Sequence, residues 1–331
     1  MGERILVTGA TGFIGKRLVE YLLVRGFRVR IFLRPESARE SGFGGRVEEF
    51  RGSYTDSEAI GRAVRDMDRV VHLAGVTKAA DEKEFWEGNV VPVIRLLAAL
   101  GEYNPGMKRL LLVSSLAACG PSCEGVTGIR EEDAAHPVSA YGRSKLEAEI
   151  LCMEASRDIP VTIVRPSAVY GPGDRDILQV FQMMQRGVLL TAGNARRQRF
   201  SMVYVDDLVQ GIVAAASADA SCGKRYFITS PEACSWDSLI LAAKPVLGFR
   251  RLFRVALPGP LVYILGSVLE IAGTLAGKAA LINRDKANEL LQDFWVCSPE
   301  KAAEELGFTA RTSLAEGIEK TIAWYRQKGW M

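Results

Sequence analysis

The sequence predicts an α/β protein, a doubly wound parallel sheet with a smaller, mostly helical C-terminal part. Three observations lead there. Short apolar runs alternate with segments of helical apolar spacing through the first half, which is the order that strand–helix–strand units produce. Those runs are apolar throughout instead of alternating, as in strands buried on both faces. The first run also enters a glycine-rich turn that opens directly onto a helix-patterned segment.

Taken in order, residues 5–7 form the first buried strand. Residues 13–24 carry Phe13, Ile14, Leu18, Tyr21 and Leu22 at helical spacing. Strands follow at residues 29–33, 47–50, 70–73, 110–114 and 161–164, with helices over 57–65, 84–100 and 141–156 between them. Beyond about residue 170 the pattern changes to helices separated by Gly/Pro turns, with a short strand at 226–229. This predicts a nucleotide-binding part over residues 1–170 and a substrate-binding cap over 171–331, some of whose segments return to the sheet. Neither internal repeats nor a Gly/Ser-rich linker separates the two.

Composition narrows the function classes. With 42 Lys+Arg against 39 Asp+Glu the net charge of +3 has no basic block, so no nucleic-acid footprint is visible. The 6 Cys show no CxxC spacing and the 2 His stand alone, which argues against a zinc site. Unpaired thiols and the lack of a secretory h-region fit a reducing cytoplasm. The anomaly is the apolar stretch 255–269, interrupted by Pro258 and Pro260 and followed by Glu270. It is shorter than the ~20 residues a bilayer span needs. A helix covering an apolar substrate pocket or touching a membrane surface accounts for it.

The segment Gly9-Ala10-Thr11-Gly12-Phe13-Ile14-Gly15 lies between the first strand and the first helix. Glycines there leave backbone N–H groups and the positive helix end facing an anion, with no Cβ to block a pyrophosphate. The spacing Gly9, Gly12, Gly15 resembles the extended branch of the short-chain dehydrogenase/reductase superfamily, the NAD-dependent epimerase/dehydratase family. The resemblance implies a Rossmann sheet, a small C-terminal substrate domain, and cofactor contacts from Gly9, Thr11, Gly12, Phe13, Ile14 and Gly15. Where that family carries an acidic residue at the second strand's end this chain has Leu33, followed by Arg34. A guanidinium there can pair with a 2′-phosphate, so NADP(H) is favoured over NAD(H). On the same resemblance Ser53 and Tyr54 lie on the adenine side, Leu73, Ala74 and Gly75 run beside the cofactor with Asn89, and Pro166 and Ser167 pass the nicotinamide. Ser53 replaces the family's Asp. His72 reads as a buried strand-end histidine.

Tyr141 and Lys145 are one helical turn apart, on one face. A tyrosine titrates near 10, and a neighbouring ammonium lowers that value, which suits general acid–base work. The preceding strand ends in Ser114 and Ser115, where a parallel sheet opens to a ligand. By the resemblance Ser115 orients the reacting oxygen, Tyr141 exchanges its proton, and Lys145 holds the ribose and tunes Tyr141. Hydride transfer at a secondary alcohol or ketone follows. Nucleotide-sugar enzymes of this branch carry a Tyr or an acid near the catalytic Ser, whereas this chain has Leu116-Ala117-Ala118-Cys119-Gly120. That run, Arg34-Pro35 and the apolar C-terminal stretch resemble the 3β-hydroxysteroid dehydrogenase and dihydroflavonol reductase branch, implying an apolar substrate. A nucleotide-sugar epimerase or dehydratase, or a non-catalytic NADP-binding sensor or assembly factor, are the other readings. The basic run Arg196-Arg197-Gln198-Arg199 suits either a diphosphate or a solvated loop. The resemblance also implies a homodimer through the helices at 84–100 and 141–156.

Overall fold

The computed structural model describes residues 2–35, 41–123, 128–275 and 284–331, with the backbone alone at 271–275. Seven parallel strands make the central sheet: β1 (Arg4–Thr8), β2 (Arg28–Leu33), β3 (Glu48–Arg51), β4 (Arg69–His72), β5 (Arg109–Val113), β6 (Val161–Pro166) and, after four short strands, β11 (Lys224–Ile228). Their order is β11-β6-β5-β4-β1-β2-β3. The chain therefore starts in the middle, winds outward to β3, crosses back to β4 and winds the other way. The reversal between β1 and β4 opens a crevice above Thr8 and His72, the place where doubly wound sheets bind ligands.

Helices α1 (Phe13–Val24), α2 (Ser57–Val64), α3 (Glu82–Asn89), α4 (Val91–Tyr103) and α5 (Ala140–Glu154) connect these strands, and α7 (Val205–Ser217) precedes β11. Two apolar layers hold the sandwich. Leu18, Leu22, Leu208 and Ile212 of α1 and α7 pack on Val7, Ile31 and Leu111. On the other face Ile60, Leu96, Leu100 and Ala148 of α2, α4 and α5 pack on Leu6, Val70 and Leu112. The predicted strands are buried on both sides because each layer claims alternate residues of the same run.

The remaining elements are α6 (Asp176–Gln185), α8 (Trp236–Leu247), α9 (Gly259–Leu275), α10 (Arg284–Leu290), α11 (Glu300–Leu306), α12 (Leu314–Gln327) and the strand pairs β7 (Ala168–Tyr170) with β10 (Met202–Tyr204), β8 (Val188–Ala192) with β12 (Phe253–Leu257), and β9 (Arg199–Phe200) with β13 (Phe294–Trp295). Tyr170, Phe181, Met184, Leu239, Ile318 and Tyr325 form their own core. The seventh strand and α7 show that segments beyond residue 170 do return to the sheet.

Two expectations change in detail. The helix expected over 84–100 is two, α3 and α4, because Pro92 sits in the first turn of α4 and cannot supply an N–H to a continuous ladder. The stretch 255–269 divides at Pro258 into the end of β12 and most of α9. Asp206 stands in the first turn of α7. It accepts two bonds from Arg17 at 2.7 and 2.6 Å, tying α7 to α1, while Asp207 accepts from the Thr312 N–H at 2.8 Å.

Candidate active site

The glycine turn is built by close approach. Gly9 has φ +71°, and a Cβ there would lie 2.7 Å from the Ala74 nitrogen. A Cβ on Gly15 would lie 2.8 Å from Ala10 Cα. The turn closes through the Gly12 N–H donating to the Gly9 carbonyl at 3.0 Å. Gly12 is the N-cap of α1 and has no side chain to satisfy the first amides of the helix, so those N–H groups face outward at its positive end.

Around this turn the loop after β4 is fixed from both sides. The Ala74 N–H donates to Thr8 Oγ1 at 3.2 Å, and Thr8 Oγ1 pairs with His72 Nδ1 at 2.8 Å. His72 is buried, and burial together with the Lys145 charge pushes it down to about 3, so the imidazole is neutral. Asn89 Oδ1 accepts from the Val76 N–H at 2.8 Å, and its amide donates to the Val76 carbonyl and to Ser144 Oγ. Asn89 thus acts on the loop, and Thr8, which leads into the glycine turn, joins it. Gly75 is the meeting point, since a Cβ there would lie 2.7 Å from Asn89 Oδ1 and 3.9 Å from Lys145 Nζ.

Lys145 is buried on α5 and donates to the Val113 carbonyl at 2.8 Å, at the end of β5. Desolvation lowers it to about 8, while Glu149 one turn on pulls the other way. Glu149 is fully buried and is gripped by Arg165 of β6 through bonds of 2.7 to 3.1 Å, with Arg225 Nε at 3.5 Å. The i, i+4 spacing from Lys145 was the available signal for Glu149. Nothing local announces its partner.

Ser115 leaves β5 in extended conformation and accepts from the Ala117 N–H at 3.1 Å. It lies close enough to the Tyr141 phenol to influence its titration. Ser114 instead lies buried, its N–H donating to the Val164 carbonyl at 2.7 Å and its hydroxyl without a partner. Half-buried Tyr141 stands beside Phe85, ring centroids 5.9 Å apart. Its phenol lies above the ordinary value, contrary to expectation: burial and Glu289 raise it, Ser115 opposes them, and the result is about 12. Lys145, which donates to the Val113 carbonyl, is not among the groups acting on it.

Helix α10 supplies two carboxylates to the start of α5. Asp285 accepts from the Ala140 N–H at 2.6 Å, and Glu289 accepts from Ser139 Oγ at 2.5 Å, while Ser139 caps the helix by accepting from the Gly142 N–H at 3.0 Å. Burial pushes the Tyr54 phenol up, and Arg34, exposed just past β2, is close enough to oppose that in part. Ser53 pairs with Thr55 Oγ1 at 2.8 Å. Ser167 is buried beyond β6 with an unpartnered hydroxyl. Thr11, Phe13 and Ile14 are partly buried at the turn and the first helical residues, and Pro166 closes β6. The structure therefore brings the glycine turn, the Leu73 to Gly75 loop, Ser115, Tyr141 and Lys145 to one sheet edge. A cradle that Cβ atoms would fill, free helix-start amides and an orphaned Ser167 hydroxyl fit a dinucleotide there.

The model of the NAD dependent epimerase/dehydratase family matches residues 5–228. The chain belongs to that family. Among epimerase/dehydratase relatives, the ceramide reductase of Caulobacter vibrioides is 30% identical over 99% of this chain and 96% of its own length. Sterol demethylase protein B of Methylococcus capsulatus is 28% identical, with 98% of each chain covered. The crystal structure of UDP-glucose 4-epimerase with UDP-glucose from Thermotoga maritima superposes with a TM-score of 0.79 at 23% identity, over 98% of this chain and 99% of that one, a likeness of fold. The first expectation, of family and of doubly wound sheet, holds.

Proposed function

We propose that the protein is an NADP-preferring oxidoreductase acting at a secondary alcohol or ketone of an apolar substrate. The observation that carries this is the convergence of Ser115, Tyr141 and Lys145 beside the glycine cradle. The nicotinamide group, when bound, supplies the hydride chemistry. The Tyr141 phenol is protonated at neutral pH, and in this reading it gives that proton to a carbonyl oxygen. Ser115 orients that oxygen, and Lys145, fixed by Val113, presents its ammonium toward the ribose side of the crevice. Arg34 meets the 2′-phosphate.

An apolar substrate is supported by the absence of any acid or Tyr in residues 116–120 and by two relatives named for a ceramide and a sterol. A nucleotide-sugar epimerase is the second reading, favoured by the match of the whole fold to a UDP-glucose 4-epimerase. A homodimer through α3, α4 and α5 is supported by Trp86, Ile94 and Ile150 exposed on those helices.

Tyr141→Phe should abolish turnover while cofactor affinity, read by fluorescence, stays within about twofold of wild type, because the ring stays and the proton donor goes. A panel of ketosphingolipids, sterols and nucleotide sugars tests the substrate class; turnover of a sugar nucleotide alone selects the second reading. Arg34→Ala should erase the preference for NADP, weakening NADP about tenfold or more and leaving NAD unchanged, the size expected for one charge-assisted phosphate contact.

A further inference from the structure

The second part of the chain carries an apolar surface that the catalytic reading does not use. Strands β8 and β12 pair in parallel with Val188 opposite Phe253 and Leu190 opposite Val255. All four of these side chains are exposed, Phe253 at 66%, while Leu189 and Thr191 between them point inward and are buried. Period-2 alternation therefore places the four on one outward face. Soluble strand pairs put polar residues there.

Strand β12 then runs through Pro258 into α9. Val262 of α9 is buried, whereas Leu261, Tyr263, Ile264, Leu265, Val268 and Leu269 are exposed, Ile264 at 60%. No charged residue occurs from Val255 to Leu269. Among the described residues no helix is long and apolar enough to cross a bilayer. Six apolar side chains are left bare on one helix, a contiguous patch that calls for a covering partner.

Charge identifies what covers the surface. The exposed Arg186, Arg250 and Arg251 stand where β8 and β12 begin, held together by the Phe253 N–H donating to the Gly187 carbonyl at 2.9 Å. Arg254, next along, is already paired with Asp237. A second copy of the chain would bring arginines from both sides to one interface, whereas anionic headgroups satisfy them while acyl chains take the apolar face. The same helix is tied by Tyr263 to Asn288 of α10, whose Asp285 and Glu289 hold the start of α5. The surface is thereby linked to the substrate side of the catalytic crevice.

We propose that β8, β12 and α9 form a docking platform for an anionic lipid bilayer, with Arg186, Arg250 and Arg251 at its rim. The proposal stands independently of the redox reading, because its test needs neither cofactor nor substrate. The full chain is sedimented with vesicles of phosphatidylethanolamine and phosphatidylglycerol, and with vesicles of phosphatidylcholine alone. Binding is expected to the anionic vesicles and to fall at high salt. Arg250→Glu with Arg251→Glu should weaken it about tenfold or more. Phe253→Glu with Ile264→Glu should weaken it at least as much, since both side chains lose their apolar contact with lipid. These positions are exposed, so cofactor affinity and the circular dichroism melt of each variant should match wild type. Failure of the wild type to sediment with either vesicle overturns the proposal. So does equal, salt-independent binding to both vesicles. A dimer that the Phe253→Glu, Ile264→Glu variant converts to monomer, without vesicle binding by the wild type, assigns the surface to a second copy instead.

Discussion

His72 shows how one side chain can be fixed by its surroundings against its usual chemistry. An imidazole at a sheet edge facing a cofactor crevice looks like an acid–base residue, but this one is buried, bonded to Thr8 and held neutral. The unfolded chain takes up its proton near 6.5 and the folded chain only near 3. Between those values the unfolded state binds more protons, so stability is lost as pH falls. His72→Gln should remove about 2 kcal/mol of the stability difference between pH 6.5 and 5, read from urea midpoints at each pH. Tyr141 and Lys145 are displaced by the same cause in opposite senses, the phenol upward and the ammonium downward, since burial always disfavours the charged form.

Helix α5 is held at its start by residues from elsewhere in the chain. At its start Asp285 and Glu289 of α10 meet the Ala140 N–H and the Ser139 hydroxyl, where a negative charge also opposes the helix dipole favourably. Asp285→Asn should destabilise the fold by about 1 kcal/mol and raise substrate KM more than it changes cofactor Kd. Glu289→Gln takes away a charge that raises Tyr141, so the alkaline limb of the pH–rate profile should move to lower pH. An unmoved limb would separate Glu289 from the phenol.

Across the whole molecule, the buried Arg165–Glu149 pair joins α5 to the sheet, with the Arg165 guanidinium over the Phe227 ring at 5.5 Å. Removing one partner leaves a charge in the interior. Arg165→Met should therefore destabilise by about 3–5 kcal/mol, and adding Glu149→Met should recover most of the loss, because the pair's desolvation cost vanishes with both charges. A calorimetric melt of the two variants checks this. Two apolar layers and the strand reversal between β1 and β4 set where the crevice lies; the ionic pair sets how α5 sits in it.

Much of this was legible in the chain because it is local. Unbroken apolar runs announce strands covered on both faces, Gly9, Gly12 and Gly15 announce a turn against a helix start, and Tyr141 with Lys145 announces one helix face. Pro92 and Pro258 were equally visible, yet reading apolar spacing across them merged two elements into one. The tertiary structure alone decided the rest: that Lys145 donates to the Val113 carbonyl, that Asn89 bonds its own loop, and that Asp285, Glu289 and Arg165 reach α5. Each is a contact between residues far apart in sequence. Neighbour spacing encodes the shape of an element, but the direction a polar group faces depends on which distant group is packed against it.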